Sequence, residues 1–464
     1  MAAPMNVVLA VVLSMFLAFT SVLFYHVNKV QPQPYMDEIF HVPQAKKYCN
    51  GSFNEWDPMI TTLPGLYLAS VGLLRPITEL MLVDMSEVCT TTVLRSTNVL
   101  FAVGNLYMLY ALIVRLHKHD KASQTYKPLL TAASLAHLPV LYFFSFLYYT
   151  DPGSTFFILI MYLFSLHGNH LMAGIMGVLC VIFRQSNIVW VVFTAGVTFV
   201  KEVEGERSEQ QSPDAPNDIQ TILASIKKSL LYILKLSNLG HLILVLWPYG
   251  IVAFVFMAFL VVNKGIVLGD KSNHEPCLNV PQLFYFMIFT AVFALPYVLS
   301  PYSAIRFLKA CLRRPFTNLA LTCLGLLAVH YLTYVHIYVL SDNRHYVSSI
   351  WRLYQRHDLI KYAIVPIVVY MNWCMQDSLS RHSSLWKLVY FICVAVVTVP
   401  QRLLELRYFI VPYLMFRIHM PLQSYWKICL ELLLGAVVNS VTLYLYMERP
   451  FFWEGTPGLQ RYMW

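Results

Sequence analysis

Four carboxylates gather in one polar stretch near the start of the chain, Tyr35 to Pro64, reading YMDEIFHVPQAKKYCNGSFNEWDPMITTLP. They are Asp37, Glu38, Glu55 and Asp57, and the pair Asp37-Glu38 follows an apolar segment that ends near Val27. A carboxylate at the mouth of a membrane bundle is costly to desolvate, which makes it a functional candidate by default. A base that activates a sugar hydroxyl must be a carboxylate or a histidine held within hydrogen-bond reach. Adjacent side chains diverge on most backbones, so one acid of the pair faces the site while the other orients the loop. Asp37 is the expected base and Glu38 the alternative. The same two acids also suit the first turn of a helix, where they meet the positive end of the dipole.

Further candidates lie along the chain. Trp56 and Asp57 either stack on and bind a sugar, with Thr61 and Thr62 beside them, or Asp57 or Thr62 caps an interfacial helix that has a proline near its start. Asp151 in YYTDPGS sits where Asp-Pro-Gly predicts a turn. Arg184, beside Gln185 in FRQSN, lies between two short apolar segments, where an arginine is expensive unless paired or facing a wet cavity. Its planar fork suits a phosphate, and Asp151 is the alternative partner. SDNRHY offers Asp342, Arg344 and His345, and RLLELRY offers Glu405 and Arg407. His274 and Glu275 form a weaker cluster, read as loop structure. His137, His241 and His330 fall in apolar segments and read as satisfied core residues. This combination suits a lipid phosphate entering from the bilayer and an acceptor hydroxyl activated by a carboxylate. Arginine and lysine would then stabilise the leaving phosphate. No Cys/His metal-ligand spacing is present, so no metal is expected.

The elements that must position these residues are membrane helices. Hydrophobic residues make up 58% of the 464, charged residues only 12%, and mean hydropathy is +0.58. Soluble domains carry about 25% charged residues. Apolar spans are predicted near 7–27, 92–114, 128–147, 155–167, 171–183, 187–200, 241–263, 281–299, 317–340, 359–373, 386–400, 407–419 and 425–446. An all-α polytopic bundle of about 13 transmembrane helices, one domain over 1–464, is the expected fold. The net charge of +9 lies in short loops between spans, where it marks topology and lipid headgroups rather than nucleic acid. Residues 59–78 either cross the membrane or lie flat on it. Only the flat placement puts the basic loops 115–127, 201–240, 306–315 and 381–387 on one side, as the positive-inside rule prefers. The first loop, 28–90, is then long and lumenal, and it carries interfacial helices. Asp151, Arg184, Asp342, Arg344, Glu405 and Arg407 fall on that same side. Asn50 heads the sequon Asn50-Gly51-Ser52 and is a candidate glycosylation site. Cys49 and Cys89 flank the loop and pair if it is lumenal. The stretch 201–228 reads as a flexible cytosolic linker.

YMDEIFHVPQAKKYC, EWDPMITTLPGLY, FRQSNI, SDNRHY, PQRLLELRYFIVPY and QRYMW resemble, nearly word for word, the endoplasmic-reticulum α-1,2-glucosyltransferase family that completes the lipid-linked oligosaccharide for N-glycosylation. The resemblance runs from about residue 34 to Trp464 and is looser in the linker. It implies a GT-C fold in the endoplasmic-reticulum membrane, with a lumenal site. It implies glucose transfer from dolichyl-phosphate-glucose to a diglucosylated, dolichol-pyrophosphate-linked oligosaccharide, with inversion and no cofactor. The first-loop acid of GT-C enzymes falls on Asp37 or Glu38. LLELRYFIVP also looks like the phosphate signature of related mannosyltransferases, but Leu403 and Leu404 stand where that signature has histidine and lysine, so only Glu405 and Arg407 carry over. The competing reading is a transporter or a channel-modulating subunit. It predicts paired broken helices in two halves of the chain, and no such symmetry is visible.

Overall fold

The computed structural model describes residues 5–205, 219–271, 276–334, 342, 344–453 and 458–464. All regular elements among them are helical, and the only extended pairings are the bridges His345–Met463 and Phe451–Gln460. The first helix, α1 (Met5–Val30), has 26 residues. At 1.5 Å per residue it is long enough to cross about 30 Å of hydrocarbon. Five more helices are equally long and apolar: Thr91–Leu116, Gln185–Glu204, Leu236–Asn263, Leu359–Ser378 and Tyr425–Glu448. A seventh span forms if Lys127–Ala136 and Pro139–Phe146, bent by 61°, cross together. The chain is therefore a polytopic helical membrane protein.

Several expected spans are short helices, and two of them, Pro281–Phe293 and Ile410–His419, fall short of the predicted 281–299 and 407–419. Asp151–Leu166, His170–Phe183, Pro281–Phe293, Pro315–Tyr331 and Ser384–Thr398 have 10–17 residues each, and Ile410–His419 has 10. Such helices rise less than the hydrocarbon thickness. Apolar runs mark burial, but they do not show where the chain breaks. Both ends of the expected linker 201–228 are helical. Lys201–Glu204 continues one helix and Ile219–Lys228 lies within Ile219–Ile233, so only the middle of 201–228 falls outside the described residues, as do His274 and Glu275.

In the first loop, α2 (Glu38–Cys49) and α3 (Gly65–Met81) form a small layer over one end of the bundle. The disulfide Cys49–Cys89 ties the end of α2 to the entry of the helix Thr91–Leu116. The layer sits close on the bundle: a Cβ on Gly65 would lie 2.7 Å from the Ile182 carbonyl oxygen. With 17 residues, α3 is not among the long apolar helices.

Lipid tails are as apolar as leucine, so helices in a bilayer adhere through packing and buried polar bridges. Asn98 donates to the carbonyls of Leu147 and Tyr149 at 2.6 and 2.8 Å. Asn105 donates to that of Pro152 at 3.0 Å. The Asn98 bonds satisfy the non-helical stretch before Asp151, as buried backbone at membrane depth requires, and the Asn105 bond reaches the first turn of the helix that follows. The span histidines also have partners. His137 bonds the Ala133 carbonyl, His330 the Tyr362 hydroxyl and His241 the Glu202 carboxylate.

The C-terminal residues return to the same end of the bundle. Arg461 bonds the carbonyls of Val30, Tyr446 and Met447, and the backbone of Arg461 bonds Tyr35. The tail and the first loop therefore share one side.

Candidate active site

The two acids of the first loop diverge completely. Glu38 has a fully buried side chain. Its carboxylate accepts from Arg95 Nε and Nη2 at 2.8 and 2.6 Å, from the Tyr148 amide at 2.6 Å and from the Tyr35 amide at 3.0 Å. Four donors saturate the carboxylate and fix the backbone on either side of it. Arg95 spends its remaining hydrogens on the carbonyls of Gln31 and Gln33 and on Asn28. Asp37 is the N-cap residue of α2, yet its carboxylate makes no capping bond. Its side chain is 46% exposed, with Arg407 Nη1 at 3.5 Å. The helix start foreseen for this pair is present, but only Glu38 occupies its first turn.

The turn that presents Asp37 is unusual. Met36 has φ of 56°, a left-handed conformation that side-chain-bearing residues rarely adopt. Such backbone costs about 1–3 kcal/mol and persists only where its surroundings over-determine it. The Asp37 amide donates to the Tyr149 hydroxyl at 3.2 Å.

Around Asp37 the structure gathers residues that are far apart in sequence. Arg407 lies 2.7 Å from Glu405, 3.5 Å from Asp37 and 3.7 Å from Asp151. Its guanidinium lies over the rings of Phe144 and Tyr149 at 5.2 and 5.3 Å. Asp151 does not sit in a turn: Asp-Pro-Gly opens the helix Asp151–Leu166, with Pro152 in the first turn, where proline lacks only an unneeded donor. One Asp151 oxygen pairs with Arg184. The other is buried without a hydrogen-bond donor. Arg184 also faces the Tyr408 ring at 5.8 Å. Three carboxylates and two guanidinium groups thus form one cluster, buried at Asp151 and open at Asp37. Behind Asp37, His41 lies 2.5 Å from the Tyr67 hydroxyl. Burial lowers its pKa, and the negative charge of Asp37 only partly opposes this.

Most of the remaining candidates have structural partners. Asp57 Oδ1 accepts from the Met59 amide at 2.9 Å, closing its own turn, while Gln44 holds the Asp57 amide at 3.0 Å. Trp56 donates to the Ile60 carbonyl at 3.4 Å. Gln185 donates to the Thr61 carbonyl at 2.9 Å, fastening the first loop to the bundle, and the Thr62 hydroxyl is buried without a partner. Asp342 takes a forked pair from Arg344 at 2.8–3.2 Å. Burial raises the Asp342 pKa, but the bonds from Arg344 outweigh it and leave the carboxyl below its usual range. His345 bonds the Trp464 carbonyl at 2.9 Å. The described contacts of these three residues lead to one another and to the tail. Asn50 is exposed at the C-terminus of α2.

Residue type and spacing passed over Arg95, Arg461, Tyr149 and Tyr408. A signal existed for Arg95, since an arginine early in an apolar span must find a partner. Arg461 lies in the quoted block QRYMW. Among the described residues, no group of three or more His, Cys, Asp or Glu is arranged to hold a metal ion.

Comparison with known proteins gives the family of the chain. The chain is 42% identical over 452 residues, 95% of each chain, to the Dol-P-Glc:Glc(2)Man(9)GlcNAc(2)-PP-Dol alpha-1,2-glucosyltransferase of Rattus norvegicus. It is 43% identical over 451 residues, again 95% of each, to the protein of that name from Homo sapiens. It is 34% identical over 457 residues, 97% of each, to the Drosophila melanogaster protein of that name. No solved structure matches. The DIE2/ALG10 family signature spans residues 31–418, from just before the strained turn to the end of the helix that follows Arg407, and the chain belongs to that family.

Proposed function

We propose that the chain transfers the terminal α-1,2-linked glucose from dolichyl-phosphate-glucose to the diglucosylated, dolichol-pyrophosphate-linked oligosaccharide of N-glycosylation. It is a hexosyltransferase of that pathway, as the relatives' names say of those proteins. Those relatives lend nothing to a transporter or channel-subunit reading. The enzyme works in the endoplasmic-reticulum membrane as one GT-C type bundle, the short apolar helices completing a set of about 13 spans. Its first loop and tail face the lumen. The disulfide Cys49–Cys89 supports that side, because disulfides persist in oxidising compartments.

The single observation that carries the mechanism is Asp37. It is half-exposed, released from capping, and 3.5 Å from a guanidinium that also serves two other carboxylates. The donor is a β-linked glucosyl phosphate and the new bond is α, so the acceptor hydroxyl attacks C1 from the face opposite the phosphate. Asp37 takes the hydroxyl proton as the new C1–O bond forms. The C1–O bond to phosphate breaks with its electron pair on the phosphate, which leaves as the dolichyl monoester. Arg407 and Arg184 meet that added charge with forked donors suited to phosphate oxygens. Glu38 cannot share the role while four donors occupy it; it anchors the turn. In this reading the phosphate is met by guanidinium donors and not by a metal, with the proton taken up by Asp37 reducing the negative charge of the cluster. Asp151 and Glu405 hold those arginines in place. Trp56, Asp57, Thr61, Thr62, Gln185, Asp342, Arg344 and His345 act in this reading by holding the first loop and the tail against the bundle.

The test is transfer by purified protein from synthetic donor to diglucosylated acceptor, with and without EDTA. Turnover unchanged by EDTA supports the arginine-only reading. Loss restored by a divalent ion contradicts it.

A further inference from the structure

The tail is joined to the base-bearing turn by bonds that packing alone does not require. The Tyr35 hydroxyl donates to the Arg461 carbonyl and accepts from the Arg461 amide, both at 2.8 Å. Arg461 is 5% exposed, and every arm of its guanidinium is used. Nε bonds Gln31 Oε1 at 3.1 Å, Nη2 the Val30 carbonyl at 3.2 Å, and Nη1 the carbonyls of Tyr446 and Met447 at 2.7 and 3.1 Å. One side chain therefore clamps the end of α1, the start of the first loop and the end of the helix Tyr425–Glu448. Beyond it, the Met463 amide donates to the Arg344 carbonyl and the Tyr346 amide to the Met463 carbonyl. Tyr35 immediately precedes Met36, whose left-handed backbone turns the chain toward Asp37. Strain of that kind relaxes unless both flanks are held. Glu38 holds the following flank and also takes the Tyr35 amide. Arg461 and Tyr35 hold the preceding one.

We infer that Arg461 is a positioning residue for catalysis: the C-terminal tail is a strap that sets the turn carrying the Asp37 base. This rests on Asp37 being the base. A displacement of about 1 Å at a catalytic group lowers turnover by about 10²-fold, so the strap acts on kcat rather than on donor affinity. Lysine cannot reproduce a fork that serves four acceptors.

The experiment compares Arg461→Lys, Tyr35→Phe, Asp37→Asn and Arg417→Lys in the full-length protein, with kcat normalised to folded, monodisperse enzyme. Arg417 is a buried arginine at the far end of the bundle and reports a purely structural loss. The strap predicts that Arg461→Lys lowers kcat by about 10²-fold with donor KM within about twofold. Tyr35→Phe, which keeps the ring and removes only the hydroxyl, lowers kcat in the same direction by less. It stands in if Arg461→Lys does not fold. Arg417→Lys lowers thermal stability and leaves normalised kcat unchanged. If Tyr35→Phe and Arg461→Lys behave like Arg417→Lys, the strap is overturned. If Asp37→Asn keeps its turnover, the base assignment itself fails, which is a separate outcome.

Discussion

At one end of the bundle Arg417 and Glu431 close on each other; at the other, Arg407 is shared among three carboxylates. Glu431 takes both arms of Arg417 at 2.8 Å and two tyrosine hydroxyls, Tyr297 at 2.7 Å and Tyr413 at 3.1 Å. Both partners are buried, their charges balance, and each carboxylate oxygen has two donors. Around Arg407 the acids outnumber the cations, one oxygen of Asp151 has no donor, and Asp37 stays open to solvent. A saturated pair can only hold helices together. An unsaturated cluster retains capacity to take a proton, which the proposed base requires. The two ends are separated by much of the helix Tyr425–Glu448, about 22 Å from Glu431 to Tyr446 by helical rise. The same residue types therefore serve structure or chemistry according to how fully their bonds are used.

That contrast can be broken or sharpened by mutation. The largest effect falls on the open end: Asp37→Asn is expected to lower turnover by about 10²–10⁴-fold. Next come the saturated pairs. Glu38→Gln and Arg417→Met each leave a buried charge unpaired and should lower stability by about 3–5 kcal/mol, read as the midpoint of thermal unfolding in detergent. Glu38→Gln should also reduce turnover by loosening the turn, whereas Arg417→Met should not once folded enzyme is counted. Equal effects of the two on turnover would erase the distinction between the ends. Arg407→Ala removes a charge-assisted bond worth about 1.5–3 kcal/mol. Steady-state kinetics should show a raised donor KM, and an unchanged value would remove Arg407 from the phosphate site. The smallest effect is a mass shift only: Asn50, exposed beside the Cys49–Cys89 disulfide, should carry a glycan that Asn50→Gln removes. Labelling of the first loop by a reagent confined to the cytosol would contradict the lumenal placement.

Much of this was legible in the sequence, for reasons that differ by residue. Long apolar runs reveal membrane helices because hydrocarbon admits little else. Asp37-Glu38 was visible because acids at a membrane mouth are costly, and Cys49 and Cys89 because they flank one polar loop. Which acid is free was not legible, since that depends on Arg95, 57 residues away from Glu38. The same holds for the strap, whose two ends are 426 residues apart. Asp-Pro-Gly at Asp151 suggested a turn because local propensity favours one. The bundle instead makes it a helix start, with Asn98 and Asn105 satisfying the backbone there. Asp57 was ambiguous between capping and binding, and its bond to the Met59 amide shows the turn-closing use.

The most direct test of the account is single-turnover glucose transfer, with donor binding measured in parallel, for wild type, Asp37→Asn and Glu38→Gln. The account predicts that Asp37→Asn binds donor normally and transfers glucose about 10²–10⁴-fold more slowly. Glu38→Gln, counted per folded molecule, should keep part of its turnover. Full transfer by Asp37→Asn with complete loss in folded Glu38→Gln would contradict it and exchange the roles of the two acids.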